Sequence, residues 1–270
     1  MDAAGEGMAR SMTIARRELG SPDALTLVLV HGLGASGRAF DLVAPLLAAR
    51  FRVIVPDLPG FGDTGGEHTT VEGTARAVLE ALDEDGVGQF AAAGHSMGGL
   101  VATALTELVP DRVTRLVLVN APASYESRTA ARGRNERILA LPGIGDLVWR
   151  SLSDDRRRAA MRSAFAPGHD VPDVFVEDMK RTTRAAYTGA SAAIDDYLRR
   201  RPLPERVGAL TQQALVVFGE RDGRVDRASL DGYGPLANAT VVTIPEAGHT
   251  PIWEAPERTA ELIAAGAGAR

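Results

Sequence analysis

The stretch Phe90-Ala91-Ala92-Ala93-Gly94-His95-Ser96-Met97-Gly98-Gly99 decides how the rest of the chain is read. A short apolar run of strand length enters Gly-x-Ser-x-Gly, and Leu100 to Val109 follow with helical spacing. A strand entering and a helix leaving force a tight turn. Glycines two residues either side of Ser96 let the neighbouring backbone approach where a Cβ would collide. The serine hydroxyl is then expected above the end of a strand and at the positive end of a helix dipole, which favours negative charge developing during acyl transfer. A small-residue turn needed only for packing would leave the same signature, so the motif has to be weighed with its surroundings.

Outward from it, apolar runs recur at Leu25 to Val30, Arg52 to Val55, Arg115 to Val119, Ala214 to Phe218 and Thr240 to Ile244, each closed by Gly, Pro, Asp or Asn. They are rich in Val, Leu and Ile without alternation, as strands covered on both faces are. Between them, Arg38 to Ala49, Thr70 to Leu82 and Pro256 to Ala264 have helical spacing. Strand and helix in turn predict a three-layer α/β/α sandwich around a mostly parallel sheet. One connection, from Val119 to Ala214, is more than ninety residues long. It carries helix-like pieces at Asn135 to Leu141, Asp154 to Phe165, Asp173 to Arg184 and Ala190 to Arg200, punctuated by Pro142-Gly143, Pro167-Gly168 and Pro202. So long an excursion needs its own packing. It is read as a helical cap, residues 121–206, over the carboxyl ends of the strands, with residues 1–120 and 207–270 forming the α/β core.

Composition bounds the function. With 270 residues, 45% of them hydrophobic, and a net charge of −5, the chain buries a sizeable core and is not disordered. Zero cysteines exclude a disulfide scaffold, a thiolate nucleophile and a Cys-built metal site. No membrane partner is expected, since no apolar run reaches the roughly 20 residues of a membrane span and none of signal-peptide length opens the chain; the expected location is the cytoplasm. An acidic balance argues against a nucleic-acid partner. Charge is uneven, however: Pro122 to Arg206 holds 16 basic and 12 acidic side chains, the remainder 14 and 23. The expected partner is a small-molecule substrate, the expected assembly a monomer or homodimer, and no cofactor or metal is implied.

Ser96 needs a base to be nucleophilic. Five histidines are available. His95 adjoins Ser96 on a sharp turn, His31 ends a strand, and His68 and His169 fall in loops. His249, in Ala247-Gly248-His249-Thr250-Pro251, follows the last strand and so shares the carboxyl edge with Ser96; it is the expected base. The preceding strand ends in Gly219-Glu220-Arg221-Asp222, making Asp222 the expected orienting acid, with Asp226 and Glu220 as competitors. At the end of the earlier strand stands Asn120, which is not a charged acceptor. After Leu25 to Val30, the turn His31-Gly32-Leu33-Gly34 offers the Leu33 amide, which with the Met97 amide makes an oxyanion pair. That turn lacks the Lys and spacing of a phosphate loop, and has no third glycine at dinucleotide spacing.

These motifs, with Asp57-Leu58-Pro59-Gly60-Phe61-Gly62, resemble the α/β-hydrolase fold family over about Leu25 to Ile263, in its serine-nucleophile esterase and carbon–carbon hydrolase branch. The resemblance implies a Ser96, Asp222, His249 triad cleaving a carboxylic ester through an acyl-enzyme, a scaffold role for Asp57, and the cap inserted after the sixth strand. The opening antiparallel strands are shortened, to within Met12 to Leu19. Ser96 where halide- and epoxide-processing members carry Asp, and Gly34 where epoxide hydrolases carry Pro, set those members aside. No His-Gly-Gly-Gly run is present, which sets aside that lipase branch. Gly32, His95, Trp149 and Trp253 are expected to contact substrate, and Phe165, Phe175, Tyr187 and Tyr197 to wall the pocket. Trp253-Glu254 resembles the same stretch in hydrolases of ring-fission diketo acids, which leaves that reaction as an alternative. A cofactor-free perhydrolase or haloperoxidase, and a non-hydrolytic receptor, cyclase or lyase on the same scaffold, also remain open.

Overall fold

The apolar runs form a seven-stranded sheet in the computed structural model, which describes residues 13–66, 70–129, 139, 141 and 143–268. Its strands are β1 (Arg16–Leu19), β2 (Leu25–Val30), β3 (Phe51–Pro56), β4 (Phe90–His95), β5 (Val113–Val119), β6 (Ala214–Gly219) and β7 (Ala239–Ile244). They lie in the order β1-β3-β2-β4-β5-β6-β7, with β1 antiparallel to β3 and every other pair parallel. The chain runs outward from β2 to β3 and returns on the other side of β2 as β4, so the carboxyl ends of β2 and β4 flank the point where strand order reverses. Open sheets bind ligands at such a point.

Each face of the sheet is buried under helices, which explains the unbroken apolar strands. Val28, Val30, Ile54, Ala92, Leu116 and Leu118 pack toward α2 (Val71–Glu84) and α3 (Met97–Leu108). Their neighbours Leu27, Leu29, Val53, Val55, Val117 and Val119 pack toward α1 (Ala44–Ala48) and the C-terminal helix Pro256–Gly266. The mostly parallel three-layer sandwich is therefore present as expected. Thr70 starts α2 by accepting from the Gly73 amide. The helix expected over Arg38 to Ala49 is instead a 3-10 turn, Gly37–Phe40, and the short α1. Ser36 caps the first piece, and Pro45, which has no N–H to give, sits in the first turn of the second.

The segment between β5 and β6 contains α4 (Ile144–Ser151), α5 (Asp154–Met161), α6 (Asp173–Arg181), α7 (Arg184–Arg200) and α8 (Leu203–Gly208). It leaves the sheet after the fifth described strand rather than the sixth, because among the described residues one strand, β1, precedes β2. The helix expected at Asn135 to Leu141 lies largely outside the described residues, as does His68. Thr183, whose side chain accepts from the Ala186 amide, starts α7 well before Ala190. Beyond β7 follow α9 (Pro251–Glu254) and α10 (Pro256–Gly266). Among the described residues no helix is long and apolar enough to cross a membrane.

Candidate active site

Ser96 joins β4 to α3 in a conformation that side chains rarely adopt, φ 54° and ψ −121°. Such a backbone costs about 1–3 kcal/mol and persists only where its surroundings over-determine it. Here the surroundings are identifiable. A Cβ on Gly94 would stand 2.1 Å from the Gly98 carbonyl oxygen, and one on Gly98 would stand 2.0 Å from that of Val30. The Ser96 amide donates to the Val119 carbonyl at 2.9 Å, and the Gly99 amide to the Ser96 carbonyl at 3.0 Å. Glycine at 94 and 98 thus lets β2, β4 and α3 close on one another, and the hydroxyl is lifted above the sheet.

At the carboxyl edge the hydroxyl meets an imidazole. Ser96 Oγ lies 2.9 Å from His249 Nε2, and His249 Nδ1 lies 2.8 Å from Asp222 Oδ2. A carboxylate at Nδ1 fixes the proton there, so Nε2 is left to accept from the serine hydroxyl. His249 is 5% exposed. The Asp222 carboxylate is saturated: Oδ2 also accepts from Asn120 Nδ2 at 2.7 Å, and Oδ1 accepts from the Arg224 and Val225 amides at 2.7 and 3.0 Å. Burial alone would raise its pKa. Attraction to His249 and the hydrogen bonds from His249, Asn120 and Arg224 outweigh that and hold the carboxyl below its usual range. The competing acids are engaged elsewhere, Asp226 with the Ala228 amide and Glu220 with Thr243 and Arg227.

Across the strand-order reversal, the Gly32–Leu33 turn is pinned by buried His31. Its Nε2 accepts from the Leu58 amide at 2.9 Å, so Nδ1 carries the proton and donates to the Gly32 carbonyl at 2.9 Å. Burial keeps this imidazole neutral, pushing its pKa down. Gly32 passes so close that a Cβ there would be 3.1 Å from Ser96 Cβ. Leu33, Met97, Ser96 and His249 all line one cavity of about 720 Å³. Met97 opens α3, where amides have no acceptor within the helix. Asp57 holds the neighbouring loop by accepting from the Gly37 and Asp63 amides at 2.6 and 2.8 Å.

Residues 27–262 match the model of the alpha/beta hydrolase family. The chain belongs to that family. Over 259 residues it is 32% identical to the dihydrolipoyllysine-residue acetyltransferase component of the acetoin cleaving system of Pseudomonas putida, covering 92% of this chain and 65% of that protein. It is 28% identical to the pimeloyl-[acyl-carrier protein] methyl ester esterase of Edwardsiella ictaluri, covering 86% of this chain and 88% of that one. Among solved structures, a thermophilic esterase from Thermogutta terrifontis superposes with a TM-score of 0.74 at 26% identity, over 93% of this chain and 91% of that one.

Of the remaining residues expected in the hydrolase's site, Gly32, His95 and Trp149 line the cavity. Trp149 donates Nε1 to the Thr182 carbonyl at 2.9 Å and leans on Tyr187, ring centroids 5.1 Å apart. His95 is buried and supports its neighbour: Nε2 donates to the His249 carbonyl at 2.8 Å, while Nδ1 has no partner among the described residues. Burial first, then repulsion from His249, pushes its pKa down to about 3, so it stays neutral. Trp253 is a correction. It lies outside the cavity lining, its indole donating to the Ala39 carbonyl at 2.6 Å behind Phe175. Phe165, Phe175 and Tyr187 line the cavity, but Tyr197 does not; it is buried beneath Arg206 with its hydroxyl donating to Glu107.

Two residues were missed by sequence reasoning. Asn120, set aside there because it is not a charged acceptor, has φ 47° and ties three elements together: Nδ2 donates to Asp222 and the Gly248 carbonyl, and Oδ1 accepts from the Gly219 amide. Glu254 accepts through Oε2 from the Gly248 and Thr250 amides, both at 3.0 Å, and through Oε1 from the Ala166 amide at 2.6 Å. It brackets His249 on both sides and joins that loop to the insertion. A polar side chain at a strand end facing the acid's strand was the available signal for Asn120; Glu254 stood in the sequence only as part of the Trp253-Glu254 resemblance, which carried no role for its carboxylate.

Proposed function

We propose that the protein is a serine hydrolase that cleaves carboxylic esters of small organic molecules through an acyl-enzyme, with the insertion serving as a cap over the site. The observation that carries this reading is the continuous hydrogen-bonded path from Ser96 Oγ through His249 to Asp222 on the carboxyl edge of the sheet. Esterases among its relatives support it.

In this mechanism Ser96 Oγ attacks the substrate carbonyl carbon while its proton passes to His249 Nε2, and the carbonyl π electrons move onto oxygen. The Leu33 and Met97 amides hold that oxyanion, a contribution of about 10²–10³ in rate for each donor. Asp222 stays ionised and stabilises the imidazolium. The tetrahedral intermediate then collapses: the carbon–oxygen bond to the leaving alcohol breaks, and His249 gives the alcohol its proton. Water, deprotonated by the same nitrogen, attacks the acyl-serine and releases the acid and free Ser96. Trp149, Phe165, Phe175 and Tyr187 give the acyl or alkyl portion apolar walls.

Hydrolysis of p-nitrophenyl esters by the purified protein tests the reading. Ser96→Ala should lower kcat by about 10³-fold or more, given what such nucleophiles contribute elsewhere. Wild-type turnover in that variant would overturn the assignment.

A further inference from the structure

The charges around the cavity do not balance. Among the described residues it is lined by three arginines, Arg128, Arg156 and Arg224, and by no carboxylate. Arg128 is already neutralised, its guanidinium bound to Asp195 and to Ser191. The other two are not. Among the described residues the Arg224 guanidinium donates only to uncharged oxygens, Nε to Ser163 Oγ and Nη2 to the Ala160 carbonyl, both at 3.2 Å; its backbone amide is the group that donates to Asp222. Arg156 makes no side-chain hydrogen bond or ion pair among the described residues; only its amide is engaged, donating to Ser153 as α5 begins.

These two cations share one wall. Arg156 and Ala160 are four residues apart on α5 and so lie on the same face. Arg224, reaching up from the Asp222 loop, rests its guanidinium on Ala160 at the end of that helix. Ala159, Ala160 and Ser163, which form the wall between them, are small and leave the space in front open. A guanidinium has five N–H donors. Arg224 uses two on protein acceptors and Arg156 none. Trp149, Phe165, Phe175 and Tyr187 line the same cavity, and a charge beside such apolar surface attracts a counter-charge more strongly than it would in water.

We propose that the ester cleaved here carries a carboxylate remote from the scissile carbonyl, and that Arg156 and Arg224 hold that carboxylate as specificity-determining residues. The proposal rests on the esterase reading above and narrows it to half-esters of dicarboxylic acids and comparable anionic esters. A competing role for Arg224 is to cap the C-terminal carbonyls of α5. Capping alone would alter stability and leave the discrimination between substrates untouched.

Three p-nitrophenyl esters of equal acyl length, ending in methyl, carboxylate or trimethylammonium, separate these cases. The wild-type protein should turn over the carboxylate ester with the highest kcat/KM and the trimethylammonium ester with the lowest. The carboxylate-to-methyl ratio should fall about 3- to 10-fold in Arg156→Gln and in Arg224→Gln, a span typical of hydrogen bonds to charged groups that stay partly open to solvent. It should fall further in Arg156→Glu and shrink as sodium chloride is raised. A wild-type preference for the methyl ester, or a ratio unmoved by all three substitutions, overturns the proposal. If no ester is turned over, the esterase reading fails by itself. Calorimetric binding of the carboxylate- and methyl-ended esters to Ser96→Ala protein then still decides the arginines' role: tighter binding of the carboxylate form supports it, equal binding refutes it.

Discussion

Glu254 offers the sharpest test of how the loop carrying His249, the proposed base, is held, because its two oxygens do different work. Oε2 gathers the amides on both sides of His249, and Oε1 gathers Ala166 of the insertion. Glutamine at this position keeps one acceptor oxygen and turns the other into a donor, which meets an amide N–H and cannot bond it. The variant satisfies most bonds by aiming its carbonyl at Gly248 and Thr250, losing the tie to Ala166. A hydrogen bond to a charged group contributes about 1.5–3 kcal/mol, so Glu254→Gln should lose about 2 kcal/mol of stability in urea unfolding. Its effect on turnover should fall chiefly on KM, since His249 stays framed while the segment walling the cavity loosens. Alanine removes all three acceptors. Displacing a catalytic group by about 1 Å costs on the order of 10² in rate, so Glu254→Ala should lose kcat by about that factor while still binding substrate. Steady-state kinetics on a neutral p-nitrophenyl ester, paired with urea titrations, read both quantities. A Glu254→Ala protein with wild-type kcat and unfolding midpoint would refute the idea that this carboxylate frames the base.

Further outcomes follow from the same geometry. Asp222→Asn should lower kcat by about 10⁴, because the imidazole loses the carboxylate that fixes its tautomer; retention of activity within tenfold would return Asp226 and Glu220 to consideration. Asn120→Ala removes one of the bonds holding the Asp222 carboxyl below its usual range, so the carboxyl's own pKa should rise; an unshifted Asp222 carboxyl titration followed by carbon-13 NMR would disprove the coupling. His95, with its pKa pushed down to about 3, stays unprotonated in the native state while the unfolded chain takes up a proton below about 6.5. Stability is then full above that pH and lost as pH falls, by about 2 kcal/mol between pH 7 and 5. In His95→Asn that part of the acid sensitivity should vanish, which urea titrations at the two pH values would check. Gly98→Ala, with its Cβ 2.0 Å from the Val30 carbonyl oxygen, should give no folded protein by circular dichroism; a wild-type Tm would show that β2 and α3 are free to part.

Much of the architecture was legible because it is written in a regular alternation. Strands buried on both faces leave apolar runs, helices leave a 3.6-residue period, and the order of the two implies a parallel sheet whose carboxyl ends form one edge. Once the edge is known, Ser96, Asp222 and His249 are placed by being the residues that follow strands β4, β6 and β7, and no side-chain geometry is needed. What the pattern does not encode is where a loop residue's side chain turns. Trp253 stands four residues after His249, yet α9 swings its indole onto Ala39 and behind Phe175. Tyr197 shares helical spacing with pocket residues, but α7 turns it toward Glu107 and Arg206 under the insertion.

The residues that escaped the sequence are polar groups whose partners are distant in the chain. Asn120 and Asp222 are 102 positions apart, and Glu254 and Ala166 are 88 apart. A single Asn or Glu has the same local appearance whether it is solvated or buried against a carboxylate, so composition and period carry no trace of the pairing. Burial supplies the distinction. An amide placed on a strand end beside an ionised acid either donates to it or leaves a charge without enough partners, at a cost of about 1–3 kcal/mol. Asn120 therefore reads as a consequence of Asp222 once the β5–β6 register brings Val119 level with Val217. The same logic runs in reverse for Arg156 and Arg224. There, among the described residues, two guanidiniums line an apolar cavity that has no carboxylate in its lining, and a carboxylate carried in by the substrate would be the partner that completes the balance.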